Sequence, residues 1–322
     1  MFARKLPGQI LLSAYYTPMT IRELAIELGV SSVYLEDEIA LLEKHHLLTK
    51  TASGRYQTDL VIFTDDFFKE FRRRSADFTA TALTEIFRCT REKLHAVRGL
   101  NRYCAQLSDS RILWGLVWFL MLKGNELLEQ KYPALLEKPE IYSGTVGTNY
   151  GVSAYEDEEA YHCASFAGYS RIDDHYYAAA ADFSVMPTGN RYFCQDKSAF
   201  GSKLYRILAD GCPSEFLILS EQEERTLTTL LTAEIELMSQ LYEQLFSCAC
   251  GIMAAHAPKS VESQIRSILF QTLIFQTTGM IGFYLIDRGV LPLPDFDGPA
   301  ALYVRENTTA AKASVLTNKE LH

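Results

Sequence analysis

The pattern of apolar and polar positions predicts a mostly helical chain with two short β regions. A first helix is expected over Gln9 to Tyr16, and a second opens at Thr20. Thr20-Ile21-Arg22-Glu23 is a capping box: the Thr20 hydroxyl accepts from a first-turn N–H while Glu23 reaches back to the Thr20 backbone. Ile21, Leu24 and Leu28 follow at helical spacing, and Gly29 stands where a C-terminal cap sits. After Val30-Ser31-Ser32, a third run places Leu35, Ile39 and Leu42 on one face and leaves Tyr34, Glu36, Asp37, Glu38 and Lys44 on the other. Leu47 to Lys50 reads as a strand, Thr51 to Gly54 as a turn, and Arg55 to Phe63 as a second strand of β-branched and aromatic residues.

Beyond the hairpin, Thr64-Asp65-Asp66 is an N-cap signal and a long helix is expected from Phe67 to Val97. Ser108-Asp109-Ser110 opens another, carrying Trp114 and Trp118 as core residues on one side and ending at Gly124-Asn125. A broken helical piece containing Pro133 follows. The pattern then changes to period two: strands are expected over Ile141 to Thr148, Ala160 to Arg171 and His175 to Met186, forming an antiparallel meander. A short helix over Ala199 to Leu208 and a buried strand at Phe216 to Leu219 come next. Ser220-Glu221-Gln222-Glu223 is a second capping box, starting one long helix through Phe246. A further helix spans Val261 to Asp287 and closes at Gly289, Ala300 to Val304 reads as an edge strand, and the tail from Glu306 is expected to be mobile.

The order helix, helix, helix, hairpin over the first fifth of the chain resembles the winged-helix domain of bacterial transcription regulators. Within that class, Tyr34-Leu35-Glu36-Asp37-Glu38-Ile39, then Leu47-Leu48, then Gly54-Arg55-Tyr56-Gln57-Thr58-Asp59 look most like the winged-helix module appended to certain sigma-factor-like regulators. The resemblance implies an α+β protein: a winged helix-turn-helix over 1–65, a helix-rich sensor or dimerisation domain with a small antiparallel sheet over 66–305, and a tail over 306–322. It also implies a DNA-binding transcriptional regulator, a homodimer in which the long helix after the wing pairs with its copy. Ser32, Tyr34, Lys50, Arg55 and Arg72 are the expected DNA contacts.

Charge leaves a second reading open. A major-groove helix usually offers Arg, Lys, Asn, Gln or Ser to bases and phosphates, whereas this one offers Glu36 and Asp37. Over Met1 to Asp65, six Lys/Arg stand against eight Asp/Glu, a net of −2, the wrong sign for counterion release. The alternative is an interaction module that does not bind DNA and docks its acidic helix face on a basic surface of the transcription machinery.

The whole chain carries a mild −9, which argues against a nucleic-acid coat or a polybasic membrane anchor. No signal peptide is read at the N-terminus, and Ile268 to Ile286, though uncharged, carries Gln271, Thr272, Gln276, Thr277 and Thr278 and reads as a buried helix, so a cytoplasmic protein is expected. Seven scattered cysteines fit a reducing compartment. Small residues alternating with aromatics over Ile141 to Tyr192 suggest a pocket for a small-molecule effector lined by Tyr142, Tyr161, Tyr169 and Tyr177, with those tyrosines flooring the helical layer as the plainer reading. Gly144 to Gly151 lacks the Gly-Lys-Ser/Thr ending of a phosphate loop. No catalytic constellation emerges, so an enzyme is not expected, and neither is a cofactor or a metal; Asp173-Asp174-His175 with His162 is better explained as hairpin chemistry.

Overall fold

A computed structural model describes residues 5–136, 153–155, 167–171, 175–182, 204–209, 216–292 and 299–306. These are mostly helical with small sheets, an α+β architecture. The chain divides into two compact units, Met1–Phe71, Tyr132–Tyr161 and Phe246–Leu273 forming the first, and Arg72–Lys131, His162–Leu245 and Ile274–His322 the second.

In the first unit, helices α1 (Lys5–Tyr16), α2 (Ile21–Leu28) and α3 (Ser32–Lys44) are followed by an antiparallel ribbon of β1 (Leu48–Lys50) and β2 (Tyr56–Thr58). Helix α1 starts a turn before the expected Gln9, because Pro7 sits in the first turn, where its missing N–H has no partner to lose. One core joins all five elements: Ile10 and Ala14 from α1, Leu24 from α2, Leu35, Ile39 and Leu42 from α3, and Leu48 and Tyr56 from the ribbon. The buried Tyr15 hydroxyl accepts from the Ile62 N–H at 3.2 Å and donates to the Ile62 carbonyl at 3.4 Å. Burial pushes its pKa up to about 12.

The expected single strand from Arg55 to Phe63 is two strands. Whereas β2 stays in the ribbon, β3 (Val61–Phe63) leaves it and pairs in parallel with β4 (Ser153–Tyr155). The break falls at Asp59, whose N–H donates to the Leu47 carbonyl at 3.0 Å and whose carboxylate accepts from Gln264 at 3.2 Å. A strand-poor residue with its own tertiary partners ends the pairing, although the composition on either side is equally β-prone.

In the second unit, α6 (Asp109–Lys131) buries almost its entire middle, from Ile112 through Met121, with both tryptophans in the core as expected. It does not stop at Gly124-Asn125. A Cβ at residue 124 would lie 2.7 Å from the Met238 side chain, so this glycine serves close helix packing rather than capping, and Asn125 donates to Glu129 one turn on at 2.7 Å. The expected helix from Phe67 to Val97 is interrupted at Lys93, giving α4 (Asp65–Glu92), which begins in the first unit, and α5 (Leu94–Arg98). The Lys93 ammonium there donates to Leu230 O at 2.9 Å and Glu234 at 2.6 Å.

The sheet of this unit runs β5 (Ala167–Arg171), β6 (Tyr176–Asp182), β8 (Pro299–Glu306), β7 (Leu217–Leu219). β5 and β6 pair antiparallel as expected, but β8 is no edge strand: it lies between β6 and β7, and its pairing with β7 is parallel. A short helix α7 at 204–209 packs Leu204 and Ile207 with Ala178, Phe216, Ile218 and Val304. The long helix expected after Ser220 is two, α8 (Glu221–Leu230) and α9 (Thr232–His256), parted at Leu231, where ψ moves to 21°. Glu224 of α8 accepts from Lys123 at 2.7 Å and from Arg305 at 3.4 Å, tying α6 and β8 to it. α10 (Glu262–Asp287) closes the helical set. The strand expected over Ile141 to Thr148 and the tail after Glu306 lie outside the described residues.

Candidate functional site

The site that the sequence points to is built on α2, α3 and the ribbon. At the start of α2 the capping box forms: the Thr20 N–H donates to Glu23 Oε2 at 2.8 Å and the Glu23 N–H to the Thr20 hydroxyl at 3.2 Å. At its end Gly29 takes the left-handed conformation with φ 65°, and its N–H returns to the Ala25 carbonyl. Sharp stops at both ends leave only Gly29 to Ser31 between α2 and α3, so the two helices meet in a tight turn. The segment before α2 is fixed to the ribbon by a bridge in which the Met19 N–H donates to Tyr56 O at 2.8 Å and the Tyr56 N–H to Met19 O at 2.7 Å. Gly54, φ 77°, makes the ribbon turn.

The capping carboxylate has a second task. Glu23 Oε1 accepts from the Arg55 guanidinium at 2.8 Å, and the same guanidinium donates to the Pro18 carbonyl at 2.8 Å. Arg55, expected among the DNA contacts, is thus a clamp between the ribbon and the start of α2, its side chain still partly exposed. The Thr20 N–H, then the Thr20 hydroxyl, then Arg55 hold the Glu23 carboxyl below the usual carboxylate range.

The remaining expected contacts divide. Ser32 opens α3 and is exposed, Tyr34 is 72% exposed, and Lys50 is exposed on β1 with its ammonium 5.5 Å from the Tyr56 ring centre. Arg72 belongs to the second unit, half-buried, its carbonyl accepting from the Tyr284 hydroxyl at 3.0 Å. Of the tyrosines expected around a pocket, Tyr142 and Tyr161 lie outside the described residues. Tyr169 stands opposite Ala179 in the β5–β6 register, and Tyr177 is half-buried with the Arg305 guanidinium 5.7 Å from its ring centre. His162, Asp173 and Asp174 are also outside the described residues.

Three apolar residues of α2 and α3 escaped the sequence reading. Ile26, Val33 and Leu41 are 73%, 69% and 37% exposed. The signal was present, because all three fall outside the buried sets, Leu24 on α2 and Leu35, Ile39 and Leu42 on α3. Among the described residues no group of three His, Cys, Asp or Glu is placed to hold a metal, and no single helix is long and apolar enough to cross a membrane. In comparisons with known proteins, no family model, curated protein or solved structure matches the chain significantly.

Proposed function

We propose that this protein regulates transcription, and that its first unit acts as a winged helix-turn-helix module that meets duplex DNA with the first turn of α3 and the β1–β2 ribbon. The observation that carries the reading is the Met19–Tyr56 bridge. It joins the helix pair, α2 with its capping box, to a two-stranded ribbon in the element order of a winged helix, with left-handed residues Gly29, His46 and Gly54 at the three connections. Ser32 and Lys50 are the contacts: one presents a hydroxyl and N-terminal amides of α3, the other a cation on the ribbon. Because Arg55 is held by Glu23 and Pro18, affinity rests on few charges and is modest. The second unit serves as the body that carries an effector or a second copy.

The test is titration of the full chain against a fluorescent random-sequence duplex at several salt concentrations. Affinity falls as salt rises, and Lys50→Glu weakens binding about tenfold at low salt and flattens the slope. Binding that is absent at every salt concentration, or indifferent to Lys50→Glu, defeats the proposal.

A further inference from the structure

We infer that Ser260 and Gln264, at the start of α10, form a clasp that positions the β1–β2 ribbon, so that the ribbon is held in place by a segment more than 200 residues further along the chain. The inference rests on the proposed function only for what the ribbon meets. A two-stranded ribbon is marginal in water without further support, and β1 and β2 are three residues each. β1 covers one edge of β2. On the other edge, the Tyr56 N–H and carbonyl turn outward to Met19. Two residues on, Thr58 turns the same way, because alternate residues of a strand share an edge, and its carbonyl accepts from the Ser260 hydroxyl at 2.9 Å. Asp59, where the ribbon ends, accepts at Oδ1 from the Gln264 side-chain amide at 3.2 Å. The outer edge of β2 is therefore covered at Tyr56 by the segment before α2, and at Thr58 and Asp59 by the start of α10.

The two donors are fixed by packing of their own. Ser260 lies in a short 3-10 turn, Lys259–Val261, that leads into α10, and Gln264 follows four residues later. Val261 and Ile265 beside them are buried, so apolar burial sets where the donors stand and the ribbon is fitted to them. All of these residues belong to the first unit. The Asp59 carboxylate also has the Thr49 hydroxyl of β1 at 3.5 Å, so one side chain ties β1, the end of β2 and α10 together. Lys50, the ribbon's cation in the proposed function, follows Thr49 directly and stands opposite Tyr56. Its place is set by held residues on both sides. Opening the clasp keeps the Lys50 charge but loosens its position, which lowers affinity and leaves the salt dependence as it was.

The test is amide exchange of the free full chain, followed by titration with the fluorescent duplex. In the double variant Ser260→Ala with Gln264→Ala, the β1 and β2 amides exchange about tenfold faster, the change expected from losing two ordinary hydrogen bonds, while those of α1 keep their protection. DNA affinity falls about threefold or more at an unchanged salt slope, because no phosphate contact has been removed. Gln264→Glu alone sets carboxylate against carboxylate and quickens ribbon exchange. Adding Asp59→Asn to it reverses the polarity of the pair, with the amide on the ribbon and the carboxylate on α10, and returns exchange toward wild type. A general loss of stability gives no such recovery. Ribbon exchange unchanged in the double alanine variant, quickening spread evenly over α1 to α3, no recovery in the swapped pair, or DNA affinity unchanged although the ribbon is loosened overturns the inference. A wild type that binds no DNA at any salt concentration, with the exchange results as expected, defeats the proposed function and leaves the clasp standing.

Discussion

Helices α3 and α6 hold their apolar residues in opposite ways. α6 turns Ile112 through Met121 into the core on every side, so even the two tryptophans at 114 and 118 are covered. α3 buries a narrow stripe and leaves Val33, Tyr34 and Leu41 outside it. Surplus hydrophobicity in α6 is taken up by folding, as befits a helix apolar all round. The same surplus in α3 is left to solvent.

The contrast is broken most severely at Trp118. Trp118→Ala is expected to destabilise the protein by about 3–5 kcal/mol in chemical denaturation, the range for emptying a large aromatic site. Val33→Ser is expected to stay within about 0.5 kcal/mol of wild type in the same assay, because an exposed side chain loses little. A large loss at Val33 shows that α3's outer face is structural. Next in size is Gly29→Ala, where φ 65° strains any side chain although the space around it is open. The expected cost is about 1–2 kcal/mol, read as a lower denaturation midpoint.

The smallest effect is on acid response. Glu23 has its folded pKa lowered by Thr20 and Arg55. Its contribution is therefore complete above the unfolded carboxylate value and disappears as pH falls through the folded one. Amide exchange in the ribbon at Tyr56 is expected to quicken over that acid range in the wild type and to show no such step in Glu23→Gln. An acid step that persists in the variant assigns the titration to another group.

What the sequence disclosed was local. Thr20 with Glu23 and Ser220 with Glu223 announce their helix starts within four residues, and both boxes form. Gly29 likewise caps its own helix. Gly124 looks the same in sequence and does something else, because Met238, more than a hundred residues away, requires its lack of a side chain. Arg55 carries the charge of a phosphate contact, yet its meeting with Glu23 spans 32 residues and depends on how the ribbon folds back. The pairing of β3 with β4, and of β8 between β6 and β7, is set by partners far along the chain that hydrophobic alternation does not identify. Ile26 and Val33 were visible as apolar residues out of phase, but phase alone does not say whether such a residue is covered.

Hydrogen–deuterium exchange of the full chain, with and without saturating duplex DNA at low salt, tests the central claim most directly. The account predicts new protection in the ribbon, β1 and β2, and in the first turn of α3 at Ser32, with Ile26 and the Leu41 end of α3 unchanged. DNA-induced protection confined to other segments, with the ribbon and Ser32 exchanging as before, contradicts it.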